Sequence, residues 1–229
     1  YWTDSNSTKS NMGTVVIDGS SVTIQLGSSV TATKLTVGAN DTFNLASSGY
    51  TFTLTGSGTG ASRPFIVNGT LNEGTSSLFV YQSSAATSVE DETYCSLKLS
   101  APDATAFTYT VGTAGSQTLA TVRDFMIGND AYGTAVTVTC ATYDPVVDVN
   151  RNFQINSGNT FVAPQTSAFT LGGHFDNNGT FTANSGKVTF DAGSAGKLIE
   201  AGNSSFYDVE FNNTAGGWTI QNDNFTCTR

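Results

Sequence analysis

The chain has 229 residues, of which only 12% are charged, and its formal net charge is −9. Its few basic residues are scattered, and phosphate binding needs clustered Lys and Arg, so neither nucleic acid nor an anionic membrane surface is an expected partner. A hydrophobic fraction of 38% with 15 Phe is not that of a disordered chain, and no apolar run is long enough to span a membrane.

Short strand patterns begin soon after a polar start. Residues 1–12 have no periodicity, which predicts an irregular N-terminal segment. From residue 13 onward, apolar and polar residues alternate in short runs that are separated by Gly, Asn and Asp turns, the pattern of short strands. In the first third of the chain these runs lie at 22–26, 35–37, 43–45, 52–54 and 78–81.

Residues 83–94 interrupt the pattern. The stretch SSAATSVEDETY is polar and contains neither Gly nor Pro, so it predicts a lateral loop or a single helical turn. The strand patterns then resume at 97–99, 107–111, 125–127, 136–138 and 147–149.

From residue 153 onward, phenylalanine marks most of the strands. It recurs at intervals that fit one short strand plus one tight turn, and three such units give a coil of roughly 20–28 residues. Stacked coils bury a shared inner column that no single coil can bury. The residues predicted to point inward are Phe153, Phe161, Phe169, Phe181, Val188 and Phe190. The threonines predicted to point outward are Thr170, Thr182 and Thr189.

Together these patterns predict an all-β parallel β-solenoid with tight Gly and Asn turns, in which residues 13–229 form one continuous body. A right-handed coil is expected, because parallel crossovers are right-handed by default. An array of antiparallel β-sandwich domains is the alternative, but runs of only three to five residues favour the solenoid. Both ends of the sequence look cut or matured from a longer chain, so we expect it to be a piece of one.

The three cysteines share their phase with apolar neighbours. Cys95, Cys140 and Cys227 have neither metal-ligand spacing nor the even number of a disulfide framework. We therefore predict three free thiols that face inward, with a Cys95–Cys140 bridge between nearby coils as the alternative. So few cysteines suit an exported protein.

Repeated phrases run through the second half of the chain. They include NSGKVTFD at 184–191, FYDVE at 206–210 and NTAGGWT at 213–219. Residues 97–220 resemble the large repetitive β-solenoid surface proteins of bacteria, adhesin-like and filamentous-haemagglutinin-like, which string together units such as NSGTVTFDG, FYNLT and NTGGTVT. Asp208 departs from the usual Asn and Trp218 from the usual Val. The resemblance implies an extracellular, elongated, structural or adhesive protein, and it brings no catalytic residues.

No group of residues predicts catalysis, cofactor binding or metal binding. Parallel β-helices can host polysaccharide lyases and hydrolases, which need carboxylates clustered on one outer face. The only dense acidic cluster, Glu-Asp-Glu at 90–92, is interpreted as a solvated loop, with a Ca²⁺ site as the alternative. Asp144 and Asp148 fit turn and strand-surface positions. His174 fits a turn, and as the sole histidine it excludes a multi-histidine metal site.

Three functions are compatible with these features. We expect a structural, non-enzymatic component of the cell surface that forms filaments through its open strand edges, with copies of itself or adjacent segments of a longer chain as partners. One alternative is an adhesin or glycan-binding module; the other is a β-helical polysaccharide lyase or hydrolase, or a phage spike. The aromatic residues that could serve glycan binding are Trp2, Tyr50, Tyr132 and Trp218. The Asn-X-Ser/Thr sequons, which are compatible with glycosylation, begin at Asn6, Asn40, Asn68, Asn178, Asn203, Asn212 and Asn224.

Overall fold

A computed structural model describes residues 11–115, 117–128, 136–221 and 224–229. In these residues the chain is an all-β parallel β-solenoid, as the sequence predicts. The first three coils contain β1 (Thr14–Ile17), β2 (Thr23–Gln25), β3 (Val30–Ala32), β4 (Lys34–Val37), β5 (Thr42–Asn44), β6 (Thr51–Leu54), β7 (Phe65–Val67), β8 (Thr70–Asn72) and β9 (Leu78–Gln82). A 3₁₀ turn, Gly60–Ser62, lies between β6 and β7.

The remaining coils follow the same three-strand plan. The next three contain β10 (Thr87–Val89), β11 (Thr93–Tyr94), β12 (Ser96–Ser100), β13 (Phe107–Val111), β14 (Thr118–Thr121), β15 (Phe125–Ile127), β16 (Val136–Thr139), β17 (Val146–Val149) and β18 (Phe153–Ile155). The last strands are β19 (Thr160–Val162), β20 (Phe169–Leu171), β21 (Phe175–Asn177), β22 (Thr180–Thr182), β23 (Lys187–Phe190), β24 (Lys197–Glu200), β25 (Ser205–Phe206), β26 (Asp208–Phe211), β27 (Trp218–Ile220) and β28 (Thr226–Cys227).

Each coil places one strand on each of three faces, and most strands pair in parallel with their counterpart in the next coil, which is the third strand further along the chain. One face is a nine-stranded sheet in the order β3-β6-β9-β12-β15-β18-β21-β24-β27. A second face consists of β1-β4-β7, then β10-β13-β16-β19-β22, then β25-β28. The third consists of β2-β5-β8 and then β11-β14-β17-β20-β23-β26.

The interior is a column of aromatic and aliphatic side chains. The rings of Phe153, Phe161 and Phe169, one from each face, lie with their centroids 4.9 to 5.6 Å apart. All six residues predicted to point inward are buried, which confirms that assignment. The three threonines predicted to point outward are half-buried or exposed. Alternation along each short strand therefore sets which side chains fill the core.

Buried polar residues at the corners of the solenoid form hydrogen bonds between neighbouring coils. Asp41, just before β5, accepts hydrogen bonds from the backbone N–H groups of Gly19 and Val22 at 3.0 and 2.7 Å. Asn159, just before β19, accepts one from the backbone N–H of Val136 at 3.0 Å. Each side chain satisfies donors of the preceding coil that the turn would otherwise leave unpaired. These hydrogen bonds therefore help to fix the position of one coil relative to the next.

Stacking on two faces is interrupted after the third coil. Within the described residues β7 does not pair with β10, nor β8 with β11, whereas β9 pairs with β12 over five residues. Arg63 spans the interruption and forms an ion pair with Glu90, the two side chains being only 17% and 8% exposed. Glu90 also accepts a hydrogen bond from the backbone N–H of Val67 at 3.3 Å. These side-chain bonds thus join the two coils where β7 and β10 do not pair, beside the backbone bonds that link Gly58 to Ala86 and Ser88.

Residues 83–94, predicted to form a lateral loop or a helical turn, instead contribute β10 and β11 to the wall of the solenoid. The polar residues Thr87, Ser88 and Glu90 are buried there. The hydroxyl of Ser88, for example, accepts a hydrogen bond from the backbone N–H of Gly60 at 3.3 Å. Partners distant in the sequence satisfy Ser88 and Glu90, and the two strands lack the apolar alternation by which the others are recognised.

Two of the three thiols lie where the sequence predicts. Cys95, Cys140 and Cys227 are all free, and the first two are buried. Cys227 is exposed, so the prediction of an inward, covered thiol is wrong for this residue. It lies on β28, the last strand of its face, where no further described strand covers it. Of the predicted irregular segment 1–12, residues 1–10 lie outside the described part of the chain.

Candidate functional site

A groove of about 330 Å³ crosses the outer surface of the nine-stranded sheet over β18, β21 and β24. Phe153 and Phe175 line its floor with their backbone, because both rings are buried on the inner side of the sheet. Two rows of outward side chains form its walls. One row is Asn152, His174 and Leu198, and the other is Gln154, Asp176 and Glu200.

The second row exists because parallel pairing places equivalent positions side by side. Gln154 pairs with Asp176, and Asp176 pairs with Glu200. Adjacent strands are about 4.8 Å apart, so the two carboxylates project from neighbouring strands. The Nε2 of Gln154 donates to one oxygen of Asp176 at 3.2 Å, and the Nδ2 of Asn178 donates to the other at 2.7 Å. The carboxylate of Asp176 is therefore held in place.

The first row is held by hydrogen bonds to the backbone. The backbone N–H of His174 donates to the Oδ1 of Asn152 at 3.1 Å, and the backbone N–H of Leu198 donates to the Nδ1 of His174 at 3.1 Å. A neutral imidazole that accepts at Nδ1 carries its proton on Nε2. This wall therefore offers an imidazole donor and a side-chain amide donor beside the apolar Leu198.

Of the residues that the sequence singles out for chemistry, only His174 lies in this groove. It follows the Gly172-Gly173 bend directly before β21, which agrees with the predicted turn position. Asp176 and Glu200 gave no signal in the sequence, because an acidic residue at an outward position of a strand looks the same whether or not its neighbour in register is acidic.

The acidic cluster at 90–92 lies at the coil junction and is not a solvated loop. Glu90 is buried with Arg63, while Asp91 and Glu92 are half-buried. Burial raises the pKa of Asp91 to about 6. Burial, reinforced by the neighbouring charges of Glu90 and Asp91, raises the pKa of Glu92 to about 7. The cluster is part of the packing between coils.

The other two aspartates serve the turn and the strand surface, as predicted. Asp144 accepts hydrogen bonds from the backbone N–H groups of Gln165, Thr166 and Ser167 at 2.5 to 3.2 Å. Burial opposes its ionisation, but these bonds and the one from the Thr166 hydroxyl outweigh burial and lower the pKa of Asp144. Asp148 accepts the hydroxyl hydrogen of Thr170 at 2.6 Å across two neighbouring strands.

Of the aromatic residues considered for glycan binding, the two that the structure describes do not line the groove. Trp2 and Tyr132 lie outside the described residues. Tyr50 and Trp218 are half-buried and pack against the core, and the ring of Trp218 lies 5.0 Å from that of Phe211. Among the described residues, recognition in the groove therefore comes from its polar groups and from Leu198.

Other features bear on the remaining expectations. Over the described ranges, no three His, Cys, Asp or Glu side chains are arranged to hold a metal ion. In the same part of the chain, no helix has the length and apolar character needed to cross a bilayer. The sequon asparagines that the structure describes are all exposed, namely Asn40, Asn68, Asn178, Asn203, Asn212 and Asn224. Asn6 lies outside the described residues.

Fold and site together define a parallel β-solenoid with a polar groove on its largest sheet. Comparisons with protein-family models, with curated proteins and with solved structures find no match for this chain.

Proposed function

We propose that this chain is a structural, non-enzymatic component of the extracellular surface, whose solenoid is extended by further coils stacked on its last one. The observation that supports the proposal is an apolar edge at the last coil. A second copy of the chain, or the next coils of a longer chain, would cover this edge.

The inner column reaches this edge uncovered on two faces. Phe190 is fully buried on β23, but its partner in register on β26, Phe211, is 48% exposed. Ile199 is fully buried on β24, but its partner on β27, Ile220, is 46% exposed. Phe211 and Ile220 thus occupy core positions that no further described coil covers. Covering both would remove large apolar surface from water, which favours association.

The third face ends in the same way. Phe206 is buried on β25, and its partner Cys227 on β28 is exposed. β26, β27 and β28 are each the last strand of their sheet among the described residues. The free side of such a strand presents N–H and C=O groups that a further strand can pair with.

The first coil offers the matching surface. Val15 and Ile24 occupy inward positions beside Leu35 and Phe43, yet they are only half-buried. A last coil that meets a first coil is a heterologous contact, which does not close on itself and so produces a rod or filament. The resemblance to bacterial surface proteins supports the extracellular placement, and it is the reason for preferring a structural role.

Sedimentation velocity over a range of concentrations tests this proposal. We expect the unmodified chain to form species larger than a monomer as its concentration rises. The double variant Phe211→Lys/Ile220→Lys should stay monomeric, because it places two charges in the contact. Val122→Lys is the matched control, since Val122 is 40% exposed on the side of the solenoid and away from the edge.

The control should associate as the unmodified chain does. A chain that remains monomeric throughout would contradict stacking between copies. Equal association of the edge variant and the control would contradict the assignment of the contact to the last coil.

A further inference from the structure

The groove on the nine-stranded sheet contains unused hydrogen-bonding groups of both kinds. In the part of the chain that is described, the carboxylate of Glu200 has no hydrogen bond or ion pair, so it can accept. The Nε2–H of His174 and the Nδ2 of Asn152 likewise have no partner there, so both can donate. Asp176, held by two amide donors, keeps further lone pairs for a ligand.

The presence of both donors and acceptors in the groove favours some classes of ligand over others. A hydroxyl both donates and accepts, so a ligand with several hydroxyls can satisfy both walls at once. An amine only donates, and it would leave the donors of His174 and Asn152 unmatched. A phosphate only accepts and would face the carboxylates of Asp176 and Glu200. The same repulsion acts against acidic sugars.

The shape of the groove agrees with its chemistry. Its volume of about 330 Å³ is at the small end of the range for ligand pockets, roughly 300 to 1,000 Å³. Leu198 lies beside the imidazole of His174 on one wall, opposite the carboxylates on the other. A pyranose ring has an apolar C–H face and hydroxyls around its rim, so it matches such a pair of walls.

We infer that this groove binds a short stretch of a neutral glycan, with Glu200 and Asp176 accepting from its hydroxyls and His174 donating to one. The site is independent of the proposed stacking, because it lies on the side of the solenoid over β18, β21 and β24 and not on the edge of the last coil. A rod built by stacking would repeat the site along its length, which raises avidity for a polymeric glycan.

Titrating the ¹⁵N-labelled protein with neutral tetrasaccharides, at a protein concentration at which it is monomeric, tests the inference. The probes are linear tetramers of glucose, galactose, mannose and N-acetylglucosamine, with tetragalacturonate and spermidine as the acidic and cationic comparisons. At least one neutral probe should shift the backbone amide signals of residues 152–154, 174–176 and 198–200. Tetragalacturonate and spermidine should shift them less.

The variant Glu200→Gln should weaken binding of that probe about tenfold, because it removes a charge-assisted hydrogen bond. The matched control is Glu210→Gln, which alters an outward glutamate on another face that pairs with Lys187 at 2.5 Å. This control variant should bind the probe as tightly as the unmodified protein does. The amide spectrum of each variant also reports whether it is folded.

Each of the following results would overturn the inference. The first is that no neutral probe shifts these signals at millimolar concentration. The second is that the shifts map elsewhere on the solenoid, or that Glu200→Gln binds as tightly as Glu210→Gln. The third is that spermidine or tetragalacturonate binds more tightly than every neutral probe, which would assign the groove to a charged ligand.

Discussion

Replacing Phe153 by alanine should cost more stability than replacing a residue that faces outward on the same strand. Its ring is fully buried in the middle of the column. The ring centroids of Phe125, Phe161, Phe169 and Phe175 lie 4.9 to 5.6 Å from its own. Removing a buried phenylalanine costs about 3–5 kcal/mol, and the loss of four aromatic contacts places this variant near the upper value, about 5 kcal/mol.

Equilibrium unfolding in guanidinium chloride measures this cost, with Gln154→Ala as the control. Gln154 is the next residue along β18 and faces outward, where its one side-chain hydrogen bond goes to Asp176. The control should lose about 1 kcal/mol or less of the free energy of unfolding. Equal and small losses for both variants would refute the assignment of inner and outer positions along this strand.

Three further predictions follow from the junction and the thiols. Arg63→Ala leaves Glu90 buried without its partner, so it should lower the free energy of unfolding by about 3 kcal/mol in the same guanidinium chloride titration. A loss below about 0.5 kcal/mol would show that the ion pair does not hold the coils together. The raised pKa values of Asp91 and Glu92, about 6 and about 7, mean that the folded chain binds these protons more tightly than the unfolded chain. Their contribution to the free energy of unfolding is therefore present at about pH 4 and is lost as the pH rises through 7. Thermal melts of Glu92→Gln at a series of pH values should show a weaker dependence of stability on pH. An unchanged dependence would contradict this prediction. In the folded state a thiol reagent should label Cys227 quickly and the two buried cysteines only after unfolding; rapid labelling of all three would contradict their placement.

Much of the fold can be predicted from local pattern, because alternation and spacing act over a few residues. The interval of 22 residues between Phe153 and Phe175 in the sequence is the interval between paired strands in the structure. Inward and outward positions follow from it, since a parallel partner in register must face the same way. The fold class and the core therefore needed no knowledge of distant contacts.

The coil junction could not be predicted in this way. Thr87, Ser88 and Glu90 read as a polar loop, yet they are buried in the wall of the solenoid. What permits the burial of Ser88 and Glu90 is a pair of partners more than twenty residues away, the backbone of Gly60 for Ser88 and Arg63 for Glu90. A pattern within one short stretch carries no information about such partners.

The groove was missed for a related reason. Gln154, Asp176 and Glu200 come from three different coils, and only the register of β18, β21 and β24 places them in one row. The exposure of Cys227 was missed because its phase gives the direction of the side chain but not whether another strand lies beyond it.

Cryo-electron microscopy of the isolated chain at high concentration tests the proposed stacking most directly. We expect rods longer than one solenoid, in which the strand spacing of about 4.8 Å continues through each joint from a last coil to a first coil. Phe211 and Ile220 should be buried at every joint. Single solenoids whose last coil is covered by residues of the same chain would contradict the proposed stacking.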